Sequence, residues 1–305
     1  MTGSMTTNRT SKNRSALLRM ACGAAAGVSL PQAALAQESG QAADKSRYHL
    51  FNPTPVELRR PLSADRPDGT ESPYTVDAGA AQLELSFVEW TIDDSPSGDS
   101  DSRSVAPLNF KLGLTNNADI QFIWSPYIDR ESDTVPDASG LGALQIRSKI
   151  NLWGNDGGAT AFGVLPFITL PTGDSGVSAD QVEGGFLLPF AADLSTLGWE
   201  GGSLGAQVGL EWVDAGANGS GGRGTDAIVN HTVVLGQSLT ERLGAYLEYI
   251  GNWTLDGSGD YAPVLSTGMT YAVSADVVLD AGVFIGLDEN TTDDVTAFSG
   301  LTVRF

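Results

Sequence analysis

The chain changes character at Gly79. From there to Phe305 it repeats short stretches in which apolar and polar side chains alternate. The clearest sets Leu144, Ile146, Ser148, Ile150 and Leu152 against Gln145, Arg147, Lys149 and Asn151. A period of two residues marks a strand with one apolar and one polar face. Twelve such runs are predicted, at about 80–92, 104–114, 119–129, 141–152, 160–171, 183–193, 203–214, 227–238, 242–254, 261–273, 276–287 and 295–305. In 183–193 and 227–238 the alternation blurs and leaves the phase open. The connections alternate as well. Long Gly/Ser/Asp loops follow odd-numbered runs (93–103, 130–140, 172–182, 215–226), and mostly short turns follow even ones (115–118, 239–241), with 194–202 longer than that rule. Loops on one side and turns on the other suit an all-β, transmembrane, up-and-down antiparallel β-barrel of about 12 strands. An even strand count returns both termini to one side, expected to be the periplasm.

Tryptophan gives an independent check. Trp90, Trp212 and Trp253 lie near the loop-side ends of runs, and Trp153 and Trp199 at the turn side. Indole prefers the membrane–water boundary, where its apolar body and its N–H are both satisfied. A soluble sandwich would more often centre a Trp in its core.

In the last run Leu301, Val303 and Phe305 share one face, and Gly300, Thr302 and Arg304 the other. This resembles the closing strand of bacterial outer-membrane barrels, which runs glycine, two variable positions, apolar, any, aromatic. Gly300, Val303 and Phe305 fill those places, although Phe298 stands where a polar residue is usual. The resemblance implies that these residues signal to the outer-membrane barrel assembly machinery, with Val303 and Phe305 facing lipid.

The residues before Gly79 carry no sustained period. Segment 37–78 has five prolines (Pro53, Pro55, Pro61, Pro67, Pro73), each of which removes a ladder donor. It also carries Arg59, Arg60, Asp65, Arg66, Asp68 and Glu71, which hydrocarbon would not accept. An irregular segment at or inside the periplasmic mouth, able to act as a plug, is expected. Before it, the basic residues Arg9, Lys12, Arg14 and Arg19, the apolar run Met20–Leu30 and Ala34-Leu35-Ala36 read as a signal peptide over 1–36. Cys22, the single cysteine, falls inside it, so the exported chain would hold itself together without a disulfide.

Charge then excludes a class. The formal net charge of the 305 residues is -20, and the four basic residues of the leader make the remainder more acidic still. Such a chain repels nucleic acid. A mean hydropathy of -0.06 and 37 glycines suit a soluble β-protein and a barrel equally.

Arg60 to Gly79 reads RPLSADRPDGTESPYTVDAG, and Asn52 to Pro55 reads NPTP. Both stretches resemble the outer-membrane transporter family of the MetA pathway of phenol degradation, over about Leu50 to Phe305. The resemblance implies a barrel of a Gram-negative outer membrane that passes small, often aromatic, compounds, with no established substrate.

Reactive sets are sparse. Gly173-Asp174-Ser175-Gly176 imitates a serine-protease loop, but only His49 and His231 follow the leader, and no helix follows the turn. An embedded lipid hydrolase would need His231 beside Ser238 or Ser266. The acidic loops with Asp93, Asp94, Asp99 and Asp101, and with Asp288, Glu289, Asp293 and Asp294, lack the spacing of a calcium loop. No catalytic residue, metal site or cofactor is assigned. By phase the lumen-facing charges are Lys111, Arg147 and Lys149 against Glu84, Glu211, Glu248 and Asp280, which would cross the lumen with a field or pair with the arginines of the amino-terminal segment. The leading function is an outer-membrane channel for small molecules, with lipid and lipopolysaccharide around it. The alternatives are a structural or adhesive barrel and, third, a barrel-embedded hydrolase.

Overall fold

The computed structural model describes residues 44–95, 98–214, 225–255, 260–289 and 292–305. The signal peptide expected over 1–36, with Cys22, lies outside the described residues. Among the described residues, fifteen strands follow the irregular segment: β1 (Ala81–Ser95), β2 (Gly98–Val105), β3 (Leu108–Thr115), β4 (Ala118–Trp124), β5 (Tyr127–Ser132), β6 (Ala138–Gly140), β7 (Leu144–Trp153), β8 (Thr160–Leu170), β9 (Glu183–Asp193), β10 (Gly202–Asp214), β11 (Thr225–Ser238), β12 (Leu243–Thr254), β13 (Tyr261–Ser274), β14 (Val277–Gly286) and β15 (Val295–Arg304).

Twelve of them close a ring. Each pairs antiparallel with the next in the order β1, β3, β4, β7, then β8 through β15, and β15 returns to β1 from Gln82↔Arg304 to Ile92↔Val295. Closure leaves no edge in the ring, which a lipid-facing sheet requires because hydrocarbon offers no partner for a free N–H or C=O. β2, β5 and β6 extend the wall past the ring on the loop side, pairing as β1–β2–β5–β6. Here the boundaries differ from the sequence expectation. Two stretches expected as loops, 93–103 and 130–140, are largely strand. Gly98–Val105 reads GDSDSRSV, water-compatible on both faces, so no period announces it; backbone pairing with β1 and β5 holds it instead. The long turn after β9 contains a short 3-10 helix, Leu194–Leu197. Asp193 caps it by accepting from the Ser195 N–H at 2.9 Å, and Gly198 ends it in a left-handed conformation at φ 86°.

The two faces are inverted relative to a soluble protein. Leu152, Val208, Val233, Leu247, Met269 and Tyr271 are exposed on the outside, whereas Gln82, Glu84, Lys111, Gln121, Lys149 and Glu248 are buried within. An apolar exterior around a polar interior is that of a barrel seated in a bilayer. Trp90, Trp212 and Trp253 stand exposed toward the loop end, Trp153 and Trp199 toward the turn end. Trp153 stacks on Phe162 at 4.9 Å, and the Trp199 indole N–H donates to Gln237 at 2.5 Å.

Candidate functional site: a filled lumen

The segment before the barrel lies along its inside. At the turn end Leu50 N–H donates to the Leu114 carbonyl at 2.8 Å, and Gly79 N–H to the Gly113 carbonyl at 2.9 Å. Gly113 is needed there, because a Cβ on it would stand 2.0 Å from the Asp77 carbonyl oxygen. Arg59 donates to the Phe305 carbonyl at 3.2 Å. Arg60 pairs with Asp77 at 3.3 Å and with Asp156 of the β7–β8 turn at 3.2 Å. The chain then rises into the lumen, turns at residues 66–71 and descends to Asp77. The partners at the tip are Ser86, Arg147, Gln207, Thr232, Glu248 and Asp280, each four to seven residues in from the turn end of its strand. At about 3.3 Å per residue they stand well inside the wall.

Four cations of this site are matched to carboxylates. Asp65 accepts from Lys111 and, at 2.5 Å, from Lys149; Lys111 also meets Glu84 of the neighbouring strand at 2.5 Å. Arg66 grips Asp280 with two bonds, Nη2 to Oδ1 at 2.8 Å and Nε to Oδ2 at 3.2 Å, and also donates to Ser86 Oγ. Its guanidinium lies over the Phe298 ring at 5.5 Å. Arg147 pairs with Glu71 and sits 5.9 Å from the Phe167 ring. Further hydrogen bonds complete the seat: Val76 N–H to the Asp119 carboxyl at 3.0 Å, Asn151 to the Pro73 carbonyl at 2.8 Å, Glu71 N–H to Gln207 at 3.0 Å, and Thr70 against Thr232 at 2.6 Å. Dry ion pairs of this kind add little net stability, but removing one partner costs about 3–5 kcal/mol by stranding the other.

Glu84, Lys111, Arg147, Lys149, Glu211, Glu248 and Asp280 therefore all stand on the inner wall, and Asp65, Arg66, Asp68 and Glu71 at the tip of the segment. The field expected across open water is not there. The basic wall residues meet acids of the segment, Glu84 joins Lys111 rather than facing it, and Arg66 engages Asp280. Glu211 faces inward with Arg147 and Glu183 as its charged neighbours. The physical reason is that irregular chain fills the space that separates the opposite walls.

Sequence reasoning missed a second feature. On the loop side of the tip apolar side chains join the inner wall, Ile123, Phe167, Leu187, Ile228, Ile250, Val264, Phe284 and Phe298, interspersed with the polar Gln145, Thr169, Glu211, Asn230 and Asn252. Phe167 pairs across from Arg147, and Phe284 from Ser266, which fixes their face. A stretch with apolar residues on both faces gives no alternation, so these positions left no signal.

The reactive candidates do not assemble. His231 lies on the outer face, stacked on Tyr261 at 5.9 Å with its Nε2 3.2 Å from the Tyr261 hydroxyl. Ser266 lies on the inner face, and Ser238 ends β11 at the turn side. Asp174 of the Gly-Asp-Ser-Gly loop instead holds the approach to β7, accepting from the Leu141 N–H at 2.8 Å. In the acidic loops Asp101 accepts from the Trp90 indole at 2.9 Å and Asp294 from the Asp94 N–H at 3.0 Å. Of the strand expected to carry the assembly signal, Phe305 is exposed, Val303 pairs with Leu83, and Gly300 faces the lumen.

The family described as "Putative MetA-pathway of phenol degradation" matches residues 64–305. No curated protein sequence matches the chain. Among solved structures, the translocator domain of autotransporter NalP from Neisseria meningitidis is similar at 10% identity and TM-score 0.47, over 74% of this chain and 88% of that one. An anion-selective porin from Comamonas acidovorans is similar at 7% identity and TM-score 0.37, over 74% and 99%. The β domain of the Bordetella autotransporter BrkA is similar at 13% identity and TM-score 0.41, over 74% and 98%.

Proposed function

We propose, for a chain that belongs to the MetA-pathway phenol-degradation family, that this outer-membrane β-barrel passes small molecules and that residues 59–78 are the plug that controls passage. The observation that carries this reading is the filled lumen itself. A ring of twelve strands is wider than the eight-stranded kind that side chains alone fill, and here the extra width is taken up by an irregular segment held through polar bonds. A purely structural barrel needs no such insert, and apolar packing would hold its interior at less risk of stranded charge. The ion pairs and hydrogen bonds that seat the segment can be exchanged for water when it moves, which an apolar core cannot do without cost.

The apolar side chains above the tip bear on the solute. A wall that turns from Phe284, Phe298 and Ile250 to charged groups suits a small molecule with an apolar body and one polar end, such as a phenol or a small aromatic acid. The structural or adhesive alternative predicts a silent barrel. Refolded protein in planar bilayers separates the two when compared with a chain lacking residues 59–78. The channel reading expects discrete conductance that rises on deletion. Silence from both folded proteins would overturn it.

A further inference from the structure

Beyond the Arg60–Asp77 pair, the described lumen buries seven carboxylates (Asp65, Asp68, Glu71, Glu84, Asp119, Glu248, Asp280) against four cations (Arg66, Lys111, Arg147, Lys149). All four cations are engaged: Arg66 with Asp280 and Glu89, Lys111 with Asp65 and Glu84, Lys149 with Asp65 and Glu71, Arg147 with Glu71. Asp68, Asp119 and Glu248 are left without a paired cation among the described residues, but Asp119 accepts from the Val76 N–H and from Gln121 and has Lys149 and Lys111 as charged neighbours. Asp68 is 0% exposed, and neither of its carboxylate oxygens receives a hydrogen bond from another residue. Glu248 is tied to the same turn, accepting from the Gly69 N–H at 2.8 Å and the Thr70 hydroxyl at 2.7 Å.

Two adjacent carboxylates out of water and without a counter-cation cannot both be ionised, because desolvation and mutual repulsion both oppose the second charge. A metal ion would need six or more oxygen ligands if it were calcium. Glu248 already accepts from Gly69 and Thr70, which leaves lone pairs for a proton but not for such a shell, and the Tyr246 hydroxyl is engaged with the Pro67 carbonyl and Ser266. Ile250 closes the flank, with its Cδ1 2.7 Å from where a Cβ on Gly69 would stand. The occupant that fits is the smallest cation.

We propose that Asp68 and Glu248 together bind one proton, shared between their carboxyl groups, and that this proton is part of the seat on which the 59–78 segment rests. The second half rests on the plug reading above. The titratable groups that face the pair are Asp65 and Glu71 on the segment itself, with Tyr246 on β12 and Asp280 on β14 beside it, and the lumen cations are Arg66, Lys111, Arg147 and Lys149, each held by another carboxylate. None of the cations among them is free to replace the proton. The sign follows. With the segment seated the pair holds a proton; unseated, two separated and hydrated carboxylates of ordinary acidity release it. Seating is therefore favoured at low pH and weakens as pH rises, by up to about tenfold per pH unit, the limit for one linked proton.

Infrared spectroscopy of the full barrel in lipid at pH 6, with Asp293→Asn as the parent so that the loop carboxyl raised to about 7 adds no band of its own, tests the site directly. A protonated-carboxyl band that shifts in heavy water is expected, and it is lost in both Asp68→Asn and Glu248→Gln. No such band in the parent, or its survival in both variants, would overturn the proton site. Single-channel recording tests the coupling. Opening frequency should rise with pH in the parent and become pH-independent in Asp68→Asn or, should that variant not fold, in Glu248→Gln. Equal pH dependence in parent and variant overturns the coupling. The plug reading fails separately, through an unchanged conductance when residues 59–78 are removed, whereas the infrared result does not depend on transport.

Discussion

Arg66 and Gly300 face each other across the plug–wall contact so closely that a Cβ on Gly300 would stand 2.6 Å from the Arg66 Nη2. The glycine that the sequence marks as part of an assembly signal is thus also the socket of the plug arginine, whose guanidinium reaches Asp280 beside it at 2.8 Å. A Cβ there would also meet the Leu85 carbonyl at 2.3 Å, so the seam between β1 and β15 shares the cost. Gly300→Ala should lower barrel stability by about 1–3 kcal/mol, the usual cost of overpacking. In an Arg66→Ala background, itself less stable because Asp280 loses its partner, the Gly300→Ala penalty should be smaller. Thermal loss of heat-modifiable migration on gels, run as a double-mutant cycle, measures the coupling; strictly additive effects would mean that the two residues do not interact.

Asp65 is the single counter-ion that Lys111 and Lys149 share, and all three are almost wholly buried. Asp65→Asn keeps the shape and some hydrogen bonding but leaves two ammonium groups with only Glu84 and Glu71 to answer them. A loss of about 3–5 kcal/mol is expected, the scale for breaking a buried pair. The triple change Asp65→Asn, Lys111→Met, Lys149→Met should regain most of it. Chemical denaturation followed by tryptophan fluorescence reads both, and a single mutant as stable as the parent would contradict the ion network.

How far this was legible depends on whether the two faces of a strand differ. In β7 the outward Leu144, Ile146, Ile150 and Leu152 contrast with the inward Gln145, Arg147, Lys149 and Asn151, and phase and face could be read directly. In β9 the inward Gly185, Leu187, Pro189 and Ala191 are as apolar as their outward neighbours, because that wall meets no charge of the segment. The extensions β2 and β5 failed for the opposite reason, being polar on both faces beyond the bilayer. Individual charges of the site were visible by alternation, but their pairing was not. Lys149 and Asp65 lie 84 residues apart and Arg66 and Asp280 214 apart, and nothing local in an irregular, proline-rich segment encodes where its turn will stand.

The loop before β15 should respond to pH near neutrality. Burial, reinforced by Asp93 and Asp294, pushes the Asp293 carboxyl up from 3.8 to about 7. A carboxyl whose folded value is raised binds its proton more tightly when the loop is packed. The loop is thus favoured at low pH and loses stability as pH rises from about 4 to about 7, levelling off above that. Limited proteolysis at 287–294 should accelerate between pH 5 and pH 8 in the parent and hardly change in Asp293→Asn. Identical pH profiles would remove Asp293 as the cause.

Whether the segment must move for solute to pass can be decided by tying it down. Thr70 on the segment and Thr232 on β11 touch through their hydroxyls at 2.6 Å, and both are buried. Replacing both with cysteine puts two thiols within reach of a disulfide of about 2.05 Å with little backbone movement. The chain's other cysteine, Cys22, belongs to the expected leader and would not compete. Oxidation then fixes the tip to the wall, while reduction frees it in the same preparation, so folding and insertion cancel out of the comparison. Uptake of a small phenol into proteoliposomes should fall on oxidation and recover with reductant, and neither single-cysteine variant should respond. Equal uptake in the oxidised and reduced states would show that solute passes without displacement of the tip from Thr232, leaving residues 59–78 a fixed lining of the pore.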